Sequence, residues 1–137
     1  MTYASRDGNV LIEDLELLTF TVMGVRIGVD TGQIERMVTP EAAEGMGVDY
    51  SPLHERLSFG GMPVKYDSPR VLVIKGEKPP TGILIDFPDD ISSFRIDSLR
   101  PLPQLFESCG VAGAVWGAAI RDKEVILLLD FYKLAET

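Results

Sequence analysis

The sequence is poor in the residues that staple, ligate or anchor a fold. It holds one cysteine, one histidine and one tryptophan in 137 residues. A lone Cys109 cannot form an intrachain disulfide. A lone His54, with no cysteine or second histidine near it in sequence, offers no metal-ligand spacing. No apolar run approaches the roughly 18 residues of a membrane helix. Leu15–Val22 is interrupted by Thr19 and Thr21 and preceded by acids, which also disqualifies it as a secretory leader. Basic residues are in deficit too, with 13 Lys and Arg against 21 Asp and Glu and a net charge of −8. Residues 1–49 carry nine acids and three bases, and residues 50–137 carry twelve acids and ten bases. An acidic first third repels phosphate backbones and anionic headgroups, so neither nucleic acid nor membrane insertion is expected. A cytoplasmic location follows by default.

What remains is an ordinary globular balance, 45% apolar and 25% charged. A chain of this length makes one domain that buries roughly two thirds of its extended surface. We expect residues 1–14 to be a flexible or extended N-terminus and 15–134 to form a single domain with two subdomains. The best-specified stretch is Val111–Leu134, two β-rich runs joined at Arg121-Asp122-Lys123. So short a connector dictates an antiparallel hairpin. Val125–Leu129 is apolar on both faces and reads as a central strand covered on each side.

Upstream, Leu15–Met23 reads as a strand with Leu18, Phe20 and Val22 on one face, followed by a turn at Gly24-Val25 and a return over Arg26–Val29. Asp30 or Thr31 is placed to cap a turn over Gly32–Ile34. Ile34–Val38 fits a strand or one helical turn, with Ile34, Met37 and Val38 slightly favouring helical spacing. Pro40–Tyr50 is acidic and weakly patterned, a loop or short helix with little part in the core. Ser51-Pro52 suits a helix start, with Leu53 and Leu57 on one face and Gly60-Gly61 as its stop. Met62–Tyr66 reads as a strand stub, and Val71–Ile74 and Thr81–Phe87 as antiparallel neighbours. Pro88-Asp89-Asp90 reads as a turn before Ile91–Phe94, and Leu102–Cys109 as a crossing loop with a helical turn. Short strands, tight turns and little helix describe an all-β, barrel-like domain.

No constellation carries catalysis. Ser51, Ser58 and Ser68 lack a nucleophile-elbow setting. Asp86, Asp89 and Asp90 lack the spacing of a calcium loop and read as a structural turn with partner-facing charge. The glycines of V-A-G-A-V-W-G-A-A lack the ending of a phosphate loop and suit close strand approach. His54 reads as a surface or half-buried structural residue, with a pH-sensitive role as the alternative. Cys109 reads as a buried structural thiol. Trp116, framed by small residues, is expected to pack in its own core, with a partner surface as the alternative. No cofactor or metal is expected.

Four segments, taken in order, resemble the CheW-like domains, adaptor modules of bacterial chemosensory arrays. They are L-T-F-T-V-M-G-V-R-I-G-V at Leu18–Val29, Q-I-E-R-M-V-T-P at Gln33–Pro40, the pair R-V-L-V-I and G-I-L-I-D within Arg70–Asp86, and the closing hairpin Gly113–Leu134. The resemblance covers residues 15–40 and 52–134. It implies an all-β fold of two small five-stranded β-barrels packed on each other with short helical turns. It also implies a non-catalytic adaptor that binds the regulatory domain of a chemotaxis histidine kinase. Asp86 matches the aspartate that closes the family's strand and is expected to be a local anchor. The family's central arginine-glycine block, used in contact with the chemoreceptor, has no counterpart between Val38 and Leu53, so receptor coupling is not implied. The kinase-facing surface is expected in the first barrel, at Ile34, Met37 and Val38. The alternative is a divergent scaffold module of another signalling or motility assembly.

Overall fold

A computed structural model of the chain describes residues 5–6, 9–10, 14–57, 64–101 and 114–135. At the N-terminus, Ser5–Arg6 (β1) and Asn9–Val10 (β2) pair antiparallel as a small separate ribbon. The alternation read in the opening segment builds β3, Asp14–Val22, which returns as β4, Val25–Asp30. Their turn is Met23-Gly24 rather than Gly24-Val25, with φ of 52° and 77°. Two consecutive left-handed residues match the right-handed twist of the strands they join. Asp30 then accepts a hydrogen bond from the Gly32 amide at 2.8 Å and caps a 3-10 turn over Thr31–Gln33.

The chain next crosses to a second sheet. Ile34–Val38 is a strand, β5, and the helical alternative fails. A bulge at Glu35 breaks the alternation that would have identified it. Helix α1, Pro40–Gly45, is capped by Thr39, whose hydroxyl accepts from the Ala42 amide at 3.2 Å. This stretch contributes to the core after all, because Ala43 and Val48 are buried. Ser51-Pro52 does precede a helix, but with Pro52 rather than Ser51 at the N-cap position. It ends strand β6, Asp49–Pro52, and α2 follows over Leu53–Arg56 with no side-chain cap. Leu53 and Leu57 do share a buried face. Val64–Tyr66 is irregular rather than strand. Then β7, Pro69–Ile74, and β8, Thr81–Asp86, pair antiparallel as expected.

The chain returns to the first sheet through Phe87, held at φ 43°. Pro88-Asp89-Asp90 is not a turn but the start of β9, Pro88–Arg95. The last strands are β10, Leu99–Pro101, β11, Val115–Arg121, and β12, Glu124–Leu129, closed by helix α3, Phe131–Ala135. The expectations at Cys109, Leu102–Cys109, Gly60-Gly61 and Met62-Pro63 lie outside the described residues.

The result is two sheets, ordered β10-β11-β12-β4-β3-β9 and β5-β7-β8-β6. Residues 34–86 supply all of the second sheet, inserted between β4 and β9 of the first. The first sheet curls until Arg121 of β11 reaches β9, donating to the Ser93 carbonyl and lying 3.7 Å over the Phe94 ring. Its concave side holds Leu15, Leu17, Phe94, Ala119, Ile126 and Leu128. Its other face carries Leu18, Phe20, Val22, Ile27, Val29 and Leu129, packed with Leu72, Ile74, Ile83 and Ile85 of the second sheet. This is the mostly β, two-unit architecture that the sequence resemblance implies.

β12 lies between β11 and β4, antiparallel to one and parallel to the other. Its expected double cover is incomplete, because Val125 is 55% exposed while Leu129 is buried. Trp116 is also a correction. It is 43% exposed and sits where a bulge between Val115 and Gly117 takes it out of the alternation that buries Val115.

Candidate functional site

One edge strand from each sheet, β5 and β9, lines a cleft of about 410 Å³. Leu18, a core residue of β3, lines it together with Ile34 and Met37 from β5 and Ile91 from β9. Met37 is 45% exposed and Ile91 58% exposed, so the cleft is apolar and open to solvent. Glu35, Arg36, Asp89 and Asp90 also line it.

The register of β5 decides which side chains reach this cleft. Ile34 pairs with Ile74 and, past the bulge, Met37 pairs with Leu72. Ile74 and Leu72 both belong to the core between the sheets, so Ile34 and Met37 share that side. Val38 pairs with Val71 and packs on the opposite face with Ala43, Val48 and Val73. The three residues expected to form one surface therefore divide, two on the cleft and one inward. They also stand on the second sheet, not on the one built by the opening hairpin. Ile91 was missed because Ile91–Phe94 was read only as a short extended piece after a turn, with no face assigned to it. The signal was an apolar residue among Asp and Ser in P-D-D-I-S-S.

The rim is acidic. Arg36 lies 3.8 Å from Glu35, and Asp89 is held at 2.9 Å by Arg26, which also donates to the Thr19 hydroxyl at 3.3 Å. Against Arg36, the cleft sets Glu35, Asp89 and Asp90. Thr31 on the same wall donates to Glu16 at 3.1 Å.

The other singled-out residues have structural partners. Asp86 is buried and accepts from the Asp67 amide at 3.1 Å and the Ser68 amide at 2.6 Å, as an anchor should. The half-buried His54 places Nδ1 3.0 Å from the Tyr66 hydroxyl, and its amide donates to the same oxygen at 3.3 Å. Burial pushes the Tyr66 phenol above its ordinary value, the His54 amide opposes that, and the nearby Asp86 carboxylate adds to it. Gln33 was given no role by the sequence reading, yet it ties down the start of helix α3. Its side chain donates to Asp130 at 3.1 Å and accepts from the Phe131 amide at 2.8 Å. Among the described residues no cluster of three or more His, Cys, Asp and Glu side chains is arranged to hold a metal ion, and no helix is long and apolar enough to cross a membrane.

The sequence profile of the CheW-like domain matches residues 16–137. The chain belongs to the CheW-like domain family. No curated protein matches its sequence. Among solved structures, the CheW-like fold described here is similar to the scaffolding protein TtCheW from Thermoanaerobacter tengcongensis, with a TM-score of 0.73 over 91% of this chain and 94% of that one. Their sequences are 18% identical, so the likeness is one of fold.

Proposed function

We propose that this CheW-like domain is a non-catalytic adaptor of bacterial chemotaxis signal transduction, working in the cytoplasm, and that its partner is the regulatory domain of a chemotaxis histidine kinase. The observation that carries this reading is the cleft between β5 and β9, apolar in its lining and acidic at its rim, in a chain of this family. An apolar centre with a charged rim is the anatomy of a protein interface. The likeness in fold to the scaffolding protein TtCheW supports the same role. We take residues 15–134 as one functional domain of two subdomains, with Ile34 and Met37 as contacts and Val38 as their support.

Calorimetric titration against the kinase regulatory domain tests the proposal, with circular dichroism as the folding control. Met37→Asp should keep the fold and abolish binding, because a charge at an interface centre loses its hydration without gaining a partner. A folded Met37→Asp variant that binds as tightly as the parent sinks the assignment. A receptor-tip peptide in a parallel titration should bind weakly or not at all, since the arginine-glycine block is absent. If neither partner is retained, the scaffold of another signalling or motility assembly becomes the better reading.

A further inference from the structure

The outer edge of β5 carries hydrogen-bonding groups with no strand to meet them. β5 is the last strand of its sheet and, among the described residues, pairs only with β7. In an antiparallel pair, successive residues send their backbone groups alternately toward the neighbouring strand and away from it. The Gln33 carbonyl accepts from the Lys75 amide at 2.8 Å, so the backbone of Gln33 faces β7 and that of Ile34 faces away. The Ile34 amide accordingly donates outside the sheet, to the Thr31 carbonyl. On β7, Val73 and Val71 keep the parity of Lys75, and they pair with Arg36 and Val38. Met37, between those two, therefore turns its amide and carbonyl outward. The bulge fits the chain from Ile34 to Met37 against the shorter stretch from Ile74 to Leu72, so the outward groups keep the spacing of a regular strand.

These groups open on the cleft. Ile34, Glu35, Arg36 and Met37 line it in unbroken succession, which a strand does with its edge and not with one face. An unpaired edge is a template for another extended chain. The side chains around it set what that chain carries. Leu18, Ile34, Met37 and Ile91 offer an apolar floor for its alternate residues. On the rim, Glu35 is paired with Arg36 and Asp89 with Arg26. Asp90 is exposed and forms no ion pair among the described residues. β5 also lies within residues 1–49, which hold −6 of the −8. A basic residue is the complement of that rim.

We propose that the cleft takes an extended apolar segment of the partner protein, with a basic residue against Asp90, and that this segment adds as a strand to the free edge of β5. The proposal rests on the cleft being the partner-binding site.

Amide hydrogen exchange followed by NMR on the full chain tests it with two probes. One is the kinase regulatory domain, and the other is a capped peptide of alternating valine and threonine with lysine at both ends. Either should slow exchange at Met37 by about tenfold or more, as a new ladder bond does. Methylating the amides of every second peptide residue blocks one edge of its strand. Of the two such peptides, one should bind like its parent and the other at least about tenfold more weakly. Asp90→Lys, a change on an exposed side chain, should weaken the lysine-ended peptide and strengthen a glutamate-ended one. A regulatory domain that binds and leaves Met37 exchanging as in the free chain overturns strand addition and leaves the kinase reading standing. A regulatory domain that does not bind, beside a peptide that protects Met37, does the reverse. Protection from neither probe, methylated peptides that bind alike, or a peptide indifferent to Asp90→Lys overturns the proposal.

Discussion

Single side chains divide here into anchors and decoys. Asp86 is an anchor, a buried carboxylate that satisfies two amides of the 67–68 bend. Asp86→Ala leaves both donors without an acceptor and should cost about 2–3 kcal/mol in a denaturant melt. Trp116 is the decoy. Buried, its truncation to alanine would remove several kcal/mol, but at 43% exposure Trp116→Ala should cost no more than about 1 kcal/mol. A larger loss in the same melt would return the ring to the core. Asp97 offers a charge test. The Arg95 guanidinium, bound to its two oxygens at 3.1 and 2.7 Å, holds its carboxyl below the ordinary aspartate value. Whatever this pair contributes is present above the unfolded aspartate pKa and disappears as pH falls through the folded one. In a carboxyl NMR titration, Arg95→Ala should move the Asp97 midpoint upward. An unmoved midpoint would mean the pair is not formed in solution.

Among elements, the strands read correctly from sequence were those whose information is local. β7 and β8 are apolar runs bounded by turn residues, and β11 and β12 meet across a connector that permits only a hairpin. β5 was ambiguous because a bulge at an edge breaks both periodicities, and β6 was hidden by a Ser-Pro pair that looks like a helix start. The parallel pairings of β4 with β12 and β6 with β8 leave no local trace, since neither partner is near the other in sequence. Half of the candidate cleft was legible for the same reason: Ile34 and Met37 lie in one short segment, while Leu18 and Ile91 come from distant strands. The inward turn of Val38 has its own test. Val38→Asp should cost about 1–3 kcal/mol of stability, whereas Met37→Asp should leave the melt nearly unchanged. Gly82 probes the second sheet, because a Cβ there would meet Val71 Cγ1 at 2.6 Å and the Leu72 carbonyl at 3.2 Å. Gly82→Ala should destabilise by about 1–3 kcal/mol through overpacking. An equally stable variant would mean that β7 and β8 separate more easily than their contacts imply.

For the whole molecule, the core between the sheets makes stability a shared property. Leu18, Phe20 and Leu129 from one sheet touch the same cluster as Leu72, Ile74 and Ile85 from the other. Unfolding should therefore be a single transition, with fluorescence and circular dichroism midpoints that coincide. A fragment spanning 70–134 should not fold, since it lacks β3 and β4, which stand between β12 and β9. Two separated transitions, or a cooperatively folded fragment, would contradict this. The insertion of residues 34–86 between β4 and β9 also sets a calendar for synthesis. The strands of the second sheet emerge together and can pair while the chain is still growing. The β3–β4 hairpin is made first but waits longest, because its flanking strands β9 and β12 come from residues 88–129. Until they arrive, the faces bearing Phe20 and Ile27 lack their final neighbours in the sheet. The nascent chain is therefore most exposed to aggregation late in translation, and the last strand to leave the ribosome closes the fold.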